Sequence, residues 1–336
     1  MNLTGPPHLK LHMQLEKFPL KAPFHVTGYT MTHTEVVTVM LEHSAHVGRG
    51  EACGVYYRSN ENAAGVFSQI AAVRRHIESG IDRTKLQRLL PAGGARNALD
   101  CALWDLEAKL SGKPAWQTAG LGEPRSLLTT FTVGANDPER MALDARAHTQ
   151  AKAIKIKLTG EPIDIERVRA VRSARPGVWL GVDANQGFTR RTLDTLLPAL
   201  LKADVRLIEQ PFSVGQEAEL DSLDSPIPIA ADESVQGLED LPAVAARFDI
   251  INIKLDKCGG LTTALMMARQ ARDFERGVMV GNMVGTSLAM APAFLVGQLC
   301  DIVDLDGPTF LGEDRPLTVA YTDGLISCPH DLWGYG

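Results

Sequence analysis

Apolar and polar positions alternate along LKLHMQLEKF (9–18) and again along TEVVTVMLEH (34–43), a period of two that predicts half-buried antiparallel strands. The period then lengthens. AAGVFSQIAAVRRHIES (63–79) and ARNALDCALWDLEAKLSG (95–112) read as amphipathic helices. The second sets Leu99, Ala102, Leu103, Leu106 and Leu110 on one stripe and runs into Ser-Gly, a helix stop. Residues 1 to about 120 are therefore expected to form an α+β unit.

Beyond that point short β-rich runs alternate with amphipathic stretches. The runs begin near Thr129, Ile154, Trp179, Val205, Ile227, Ile250, Val278 and Asp301, and so recur about every 25 residues, the length of one strand, one helix and two short loops. Eight such units predict a parallel (β/α)8 barrel. An open doubly wound sheet would want a Gly-rich phosphate loop after its first strand, and VGANDP (133–138) is not one. The last stretch, from Gly307 onward, shows no barrel-like helix and is expected to run back over the N-terminal unit. The organisation expected is a capping domain of residues 1–120, joined by 312–336, and a barrel of 121–311.

Composition narrows the class. The 336 residues are 45% hydrophobic and 22% charged, and 34 Lys+Arg against 40 Asp+Glu give a net charge of −6. With no basic block, nucleic acid is not expected as a partner. Five scattered cysteines form no CxxC pair, which argues against a disulfide framework or a zinc knuckle and fits a reducing compartment. The N-terminus lacks a basic start followed by an apolar run, and no transmembrane span is expected. The expectation is a cytoplasmic enzyme acting on a small molecule, without a membrane partner. No GxGxxG or GxxxxGK[ST] run points to a dinucleotide or a phosphate loop.

Active sites of such barrels lie at the C-terminal ends of the strands. Lys155 and Lys157 end the second run, two residues apart and so on one face. Asp183, Glu209 and Asp232 end the third, fourth and fifth; Lys254 ends the sixth; Asp304 and Asp306 end the eighth. Singly, each reads as a solvated loop residue. Together, three acids from consecutive strands would converge and repel, and a hard cation such as Mg²⁺ or Mn²⁺ would relieve them. Lysines on strands two and six would flank that cation from opposite sides. A nearby cation disfavours the ammonium form, so the amines could serve as bases closer to neutral pH. Two bases on opposite faces of one carbon are the equipment for 1,1-proton transfer next to a carboxylate.

The motifs IKIKL, VDANQ, LIEQP, ADES and NIKLDKCGG resemble those of the enolase superfamily, in its muconate-lactonizing-enzyme-like branch, whose sites use a Lys or His base with Mg²⁺. PAGGARNALDCALWDLEAKLSGKP and GRGEACGVYYR resemble its cap-to-barrel passage and a capping loop. The resemblance implies Lys157 and Lys254 as acid/base pair, Lys155 as electrostatic helper, Asp183, Glu209 and Asp232 as Mg²⁺ ligands, and a homo-oligomer. DLDGPTFL (304–311) is similar to the Asp-x-Asp signature of dipeptide epimerases, in which Asp304 and Asp306 would grip the α-ammonium of a dipeptide.

One departure bears on the substrate. Epimerases of L-Ala-D/L-Glu carry an arginine in the capping loop after a Pro-Phe pair; here no Arg occurs between Pro19 and Glu35, and Gly28 and Tyr29 stand where it could align. Lys21 or His25 could substitute, though lysine is a poorer bidentate partner for a carboxylate. Tyr29, Tyr56 and Tyr57 could instead wall a less acidic pocket, or simply pack. The alternatives on the same scaffold are an N-acylamino-acid racemase and an o-succinylbenzoate synthase-like syn-dehydratase. A mandelate-racemase-like activity would want a His near strand seven, and VMVGNMVGTS has none. A catalytically idle barrel would have lost a ligand or a lysine. Peptidoglycan recycling and general peptide salvage both stay open.

Overall fold

The computed structural model describes residues 8–59 and 61–335. Its N-terminal part is an antiparallel sheet, β1 (Lys10–Val26), β2 (Tyr29–His43) and β3 (His46–Cys53), covered by α1 (Ala63–Glu78), α2 (Arg83–Leu89) and α3 (Gly94–Ser111). Both predicted strands and both predicted helices are present, with β1 and β2 longer than the alternation alone indicated because they continue into a hairpin tip at Thr27–Gly28. Helix α3 stops at Ser111 because Gly112 adopts the left-handed conformation. It lies directly on β3. A Cβ at Gly48 or Gly50 would stand 2.1 Å from the carbonyl oxygen of Ala102 or Ala98, so only glycine permits this approach.

A short turn of helix, α4 (Ala115–Thr118), and β4 (Leu127–Leu128) lead into the barrel strands β5 (Thr130–Val133), β6 (Ala153–Lys157), β7 (Trp179–Asp183), β8 (Val205–Glu209), β9 (Ile229–Ala231), β10 (Ile250–Ile253), β11 (Gly277–Val280) and β12 (Ile302–Val303). They form one parallel ladder in chain order. Each begins within two residues of its expected start. The covering helices are α5 (Pro138–Ala147), α6 (Asp164–Ala174), α7 (Arg190–Lys202), α8 (Leu241–Ala245), α9 (Leu255–Cys258), α10 (Leu261–Asp273) and α11 (Ser287–Gly297). After β8 only a 3-10 turn, Glu217–Leu220, stands where a regular helix was expected; after β12, where none was expected, the chain makes the 3-10 turn Gly307–Phe310. Apolar residues facing outward, such as Ile154, Ile156 and Val182, pack under the helices, while Trp179, Leu207, Ala230, Ile250, Met279 and Ile302 plug the interior.

Among the described residues the barrel closes without ladder pairing between its ends. Its first and last strands, β5 and β12, meet through side chains: Asp306 Oδ2 accepts from the Thr132 amide at 2.6 Å, Asp304 Oδ1 accepts from the Thr130 hydroxyl, and Thr129 Oγ1 accepts from the Leu305 amide at 3.0 Å.

The C-terminal stretch does return to the N-terminal unit. Arg315 reaches Glu16 and Glu51 of the sheet at 2.9 and 2.6 Å, and Trp333 Nε1 donates to the Arg49 carbonyl at 2.8 Å. It also forms a hairpin, β13 (Ala320–Thr322) and β14 (Leu325–Ser327), that pairs with β4 below the barrel. Among the described residues all five cysteines are free, and no helix is long and apolar enough to cross a membrane.

Helix α3 also fixes the loop after β10. Arg96 donates to the carbonyls of Cys258 and Gly259, and Asp100 accepts from the Thr262 amide and hydroxyl at 2.9 and 2.7 Å. Asp256 Oδ1 accepts from the Cys53 amide at 3.0 Å and from Asn97 Nδ2 at 3.1 Å. Burial pushes the Asp256 carboxyl up to about 7, the bonds from Asn97 and Cys53 offsetting only part of it. A carboxyl raised above its unfolded value contributes stability that is complete below about pH 4 and lost as the pH climbs through its folded value. Asp256→Asn keeps the shared acceptor oxygen. It should flatten the fall of the thermal midpoint between about pH 4 and 7, recovering on the order of 1–4 kcal/mol at the upper end.

Candidate active site

Strand alternation carries charge into the barrel mouth. On β6 the isoleucines face outward and Lys155 and Lys157 inward; the register sets Lys157 beside Asp183 and Asp183 beside Glu209. Asp232 follows β9, Lys254 follows β10, and all of these side chains are buried. Lys157 Nζ donates to Asp183 Oδ2 at 2.6 Å, Lys155 Nζ to Glu209 Oε2 at 2.9 Å and to Asp304 Oδ2 at 2.5 Å, and Lys254 Nζ to Asp232 Oδ2 at 2.6 Å. The three expected acids and three expected lysines thus meet in one place. Asp304 joins them through Lys155, whereas Asp306 is turned to the Thr132 amide at the barrel seam.

The strand ends are strained at this site. Asn185, Gln186 and Gln210 hold φ of 41°, 67° and 36°, a left-handed region that costs non-glycine residues energy. The return is positional. Gln210 Oε1 accepts from the amides of Asp232 and Ser234, at 2.9 and 3.1 Å, and so locks the end of β9.

Several participants were not singled out in the sequence. Lys257 is 1% exposed and donates to Asp232 Oδ1 at 2.5 Å, so this carboxylate is held by two ammonium groups. Asn252 donates to Glu209 Oε1 at 2.7 Å, and Asn185 to Glu233 Oε1 at 3.2 Å. Asn252 was readable: it lies two residues before Lys254 and therefore on the same inward face. Lys257 lies in the short helix α9, and no strand alternation marks it.

Charges in the mouth do not balance. Asp183, Glu209, Asp232, Glu233, Asp304 and Asp306 face Lys155, Lys157, Lys254 and Lys257, all at most 7% exposed. Burial and then Asp183 push Glu209 up to about 7; burial and then Asp232 push Glu233 up to about 8; burial and then Asp304 push Asp306 up to about 6. Burial opposes ionisation of Asp183 and Asp232 too, but Lys157 with Lys155, and Lys254 with Lys257, hold them below the usual carboxylate range. For Lys155 and Lys254 burial favours the free amine, yet the facing carboxylates win and raise both well above the ordinary lysine value. In the protein alone this is the reverse of the lowering expected beside a cation.

The residues fit a hard divalent cation in chemistry. Three buried carboxylates from successive strands offer oxygen only, the mouth carries an excess of negative charge, and the Oδ1 atoms of Asn185 and Asn252 and Oε2 of Glu233 are buried without a partner. Among the described residues no three Asp, Glu, His or Cys side chains close into a finished cage, because each expected ligand is directed at an ammonium group. A cation would compete with the lysines for these oxygens.

Above the mouth lies a cleft of about 90 Å³, roofed by the β1–β2 hairpin and the loop after β3. Tyr29 and Tyr56, both partly exposed, line it and stack with ring centroids 5.2 Å apart, while Tyr57 meets Tyr56 edge-on at 5.1 Å.

An antiparallel cap laid over a parallel barrel, with carboxylates and lysines on successive strand ends, has close counterparts. Residues 10–120 match the N-terminal domain of the mandelate racemase / muconate lactonizing enzyme family, and 139–330 match the enolase C-terminal domain-like family. The chain belongs to this family of the enolase superfamily. It is 39% identical to an L-Ala-D/L-Glu epimerase of Escherichia coli (strain K12), over 92% of this chain and 96% of that one. A crystal structure of an enolase family member from Agrobacterium tumefaciens with homology to dipeptide epimerases, bound to sodium and L-Ala-L-Glu, superposes with a TM-score of 0.94. It is 40% identical and covers 97% of this chain and 100% of its own. A dipeptide epimerase from Methylococcus capsulatus, complexed with Mg and L-Arg-D-Lys, superposes with a TM-score of 0.89 at 30% identity, covering 95% and 96%.

The seam gives a test that needs no substrate. Asp306→Ala leaves the Thr132 amide buried without an acceptor and should cost about 1–3 kcal/mol in denaturant unfolding. An unchanged midpoint would mean that Asp306 does not hold the seam.

Proposed function

We propose that this chain is an Mg²⁺-dependent dipeptide epimerase that inverts the α-carbon of the C-terminal residue. One observation carries the reading. Lys157 and Lys254 stand on β6 and after β10, four strands apart in a barrel of eight, and so reach the same mouth from opposite sides.

The roles follow from position. Asp183, Glu209 and Asp232 would hold the cation, with Mn²⁺ as the substitute of the same chemistry. When bound, the cation supplies positive charge beside the substrate carboxylate, which favours loss of the neighbouring α-proton. Asp232 and Glu209, two of the carboxylates that would hold the cation, are those that keep Lys254 charged in the protein alone. Lys157 takes the proton from one face of the carbon while Lys254 gives one to the other. Lys155 stays an ammonium between Glu209 and Asp304, a fixed positive charge. Asp304 and Asp306 would face the substrate ammonium. Buried nearly completely, they make a strong site for a cationic group and a poor one for a neutral group.

The N-acylamino-acid racemase reading has one observation in its favour. Asp304 and Asp306 already have partners in Lys155, Thr130 and Thr132. Asp304→Asn decides: it should raise KM tenfold or more for a dipeptide and leave an N-acylamino acid unaffected. The working compartment we propose is the cytoplasm, and the working form a homo-oligomer. The free cysteines support the first, and the habit of the superfamily the second.

Proton NMR in D₂O with Mg²⁺ tests the reaction. The C-terminal α-proton of a dipeptide should exchange as the second epimer appears; no exchange from any dipeptide would sink the proposal. Lys157→Gln and Lys254→Gln should each lose epimerisation by at least about 10³-fold. Each should still exchange the α-proton of one epimer only, the two variants choosing opposite epimers.

A further inference from the structure

The floor of the cleft is charged and its roof is not. From the β1–β2 hairpin come Val26, Tyr29 and Met31, from the loop after β3 Tyr56 and Tyr57, and from the loop after β11 Met283. The cations lining the cleft are Lys157 and Lys254 of the floor, each 2.6 Å from a carboxylate oxygen. Lys21 and His25 do not substitute for a missing arginine. Lys21 Nζ donates to the Thr309 carbonyl at 2.8 Å, His25 Nδ1 bonds the Thr30 hydroxyl at 2.9 Å, and both line a separate depression beside β5. Arg58, next to Tyr57 in the chain, points both terminal nitrogens at the Lys257 carbonyl, at 3.4 Å.

An acidic side chain placed under this roof would lose hydration and gain no counter-ion, whereas an apolar one gains by burial. The tyrosine hydroxyls do not rescue it. Burial and then Glu233 hold Tyr56 in its neutral form, and burial and then Asp232 do the same for Tyr57, so neither supplies a counter-charge. Met31 and the stacked rings of Tyr29 and Tyr56 make a polarisable, adaptable wall suited to aliphatic and aromatic groups alike.

We propose that the residue whose α-carbon is inverted carries an apolar side chain, and that the wall of Met31, Tyr29 and Tyr56 selects it over an acidic one. This rests on the dipeptide-epimerase reading and adds its substrate class.

The test compares L-Ala-L-Phe, L-Ala-L-Leu, L-Ala-L-Glu and L-Ala-L-Lys with the Mg²⁺-loaded protein, by α-proton exchange in D₂O and by calorimetric binding. The phenylalanine and leucine dipeptides should exceed the glutamate one at least tenfold in kcat/KM and in affinity, about 1.4 kcal/mol. Met31→Arg should shift the Glu-to-Phe ratio at least tenfold toward Glu. L-Ala-L-Glu or L-Ala-L-Lys matching the apolar pair in the unmodified enzyme overturns the inference, whether or not the variant folds. Silence in exchange, with the apolar dipeptides still bound more tightly, would sink the reaction while supporting the preference.

Discussion

Burying several carboxylates within reach of one another is the constraint on which this structure turns. At the barrel mouth six acids share a water-poor volume with four lysines, and the shortfall shows as carboxyls pushed toward neutrality. Such a cluster persists only if its scaffold is rigid. Helix α3 pins the loop that follows Lys254, the side chain of Gln210 pins the strand end that carries Asp232, and two glycines of β3 let α3 approach closely enough to do the first. Residues far apart in the chain thus serve one electrostatic arrangement.

The molecule divides its labour between floor and roof. The floor is made by parallel strand ends and sets the reaction type, because the positions of charge are fixed by register. The roof is made by two loops of the cap, joined by a tyrosine stack, and carries no committed charge toward the cleft. A roof of this kind can change its side chains without disturbing the strand register below it. This is consistent with relatives of one fold that bind different dipeptides, L-Ala-L-Glu in one and L-Arg-D-Lys in another.

Much of this was legible in the chain. The barrel could be read because each strand start repeats at the length of a strand–helix unit, and the charged ends could be read because alternation sends Lys155 and Lys157 to one face. Other features could not. Nothing local tells that Asp306 bonds the Thr132 amide across the seam, since that partner is set by how the cylinder closes. Lys257 sits on a turn of helix with no alternation to mark it, and its meeting with Asp232 depends on the tertiary placement of two loops. The raised lysines of the protein alone have a related cause. Alternation told which residues converge, but each ammonium is paired with a carboxylate more closely than sequence could show. The 3-10 turn after β8 likewise replaces a helix that the regular repeat implied.

The laced seam between β5 and β12 has an evolutionary side. Asp304 and Asp306 hold the first barrel strand to the last, and they are also the acids nearest to any group that enters from that edge. Selection for a new ligand and selection for a chain that still folds therefore press on the same two positions. A lineage can diversify the cap loops step by step, but a change at Asp304 strands the Thr130 hydroxyl and a change at Asp306 strands a backbone amide that no new side chain at Thr132 removes. Drift at the seam should be slow, and novelty should arrive from the roof.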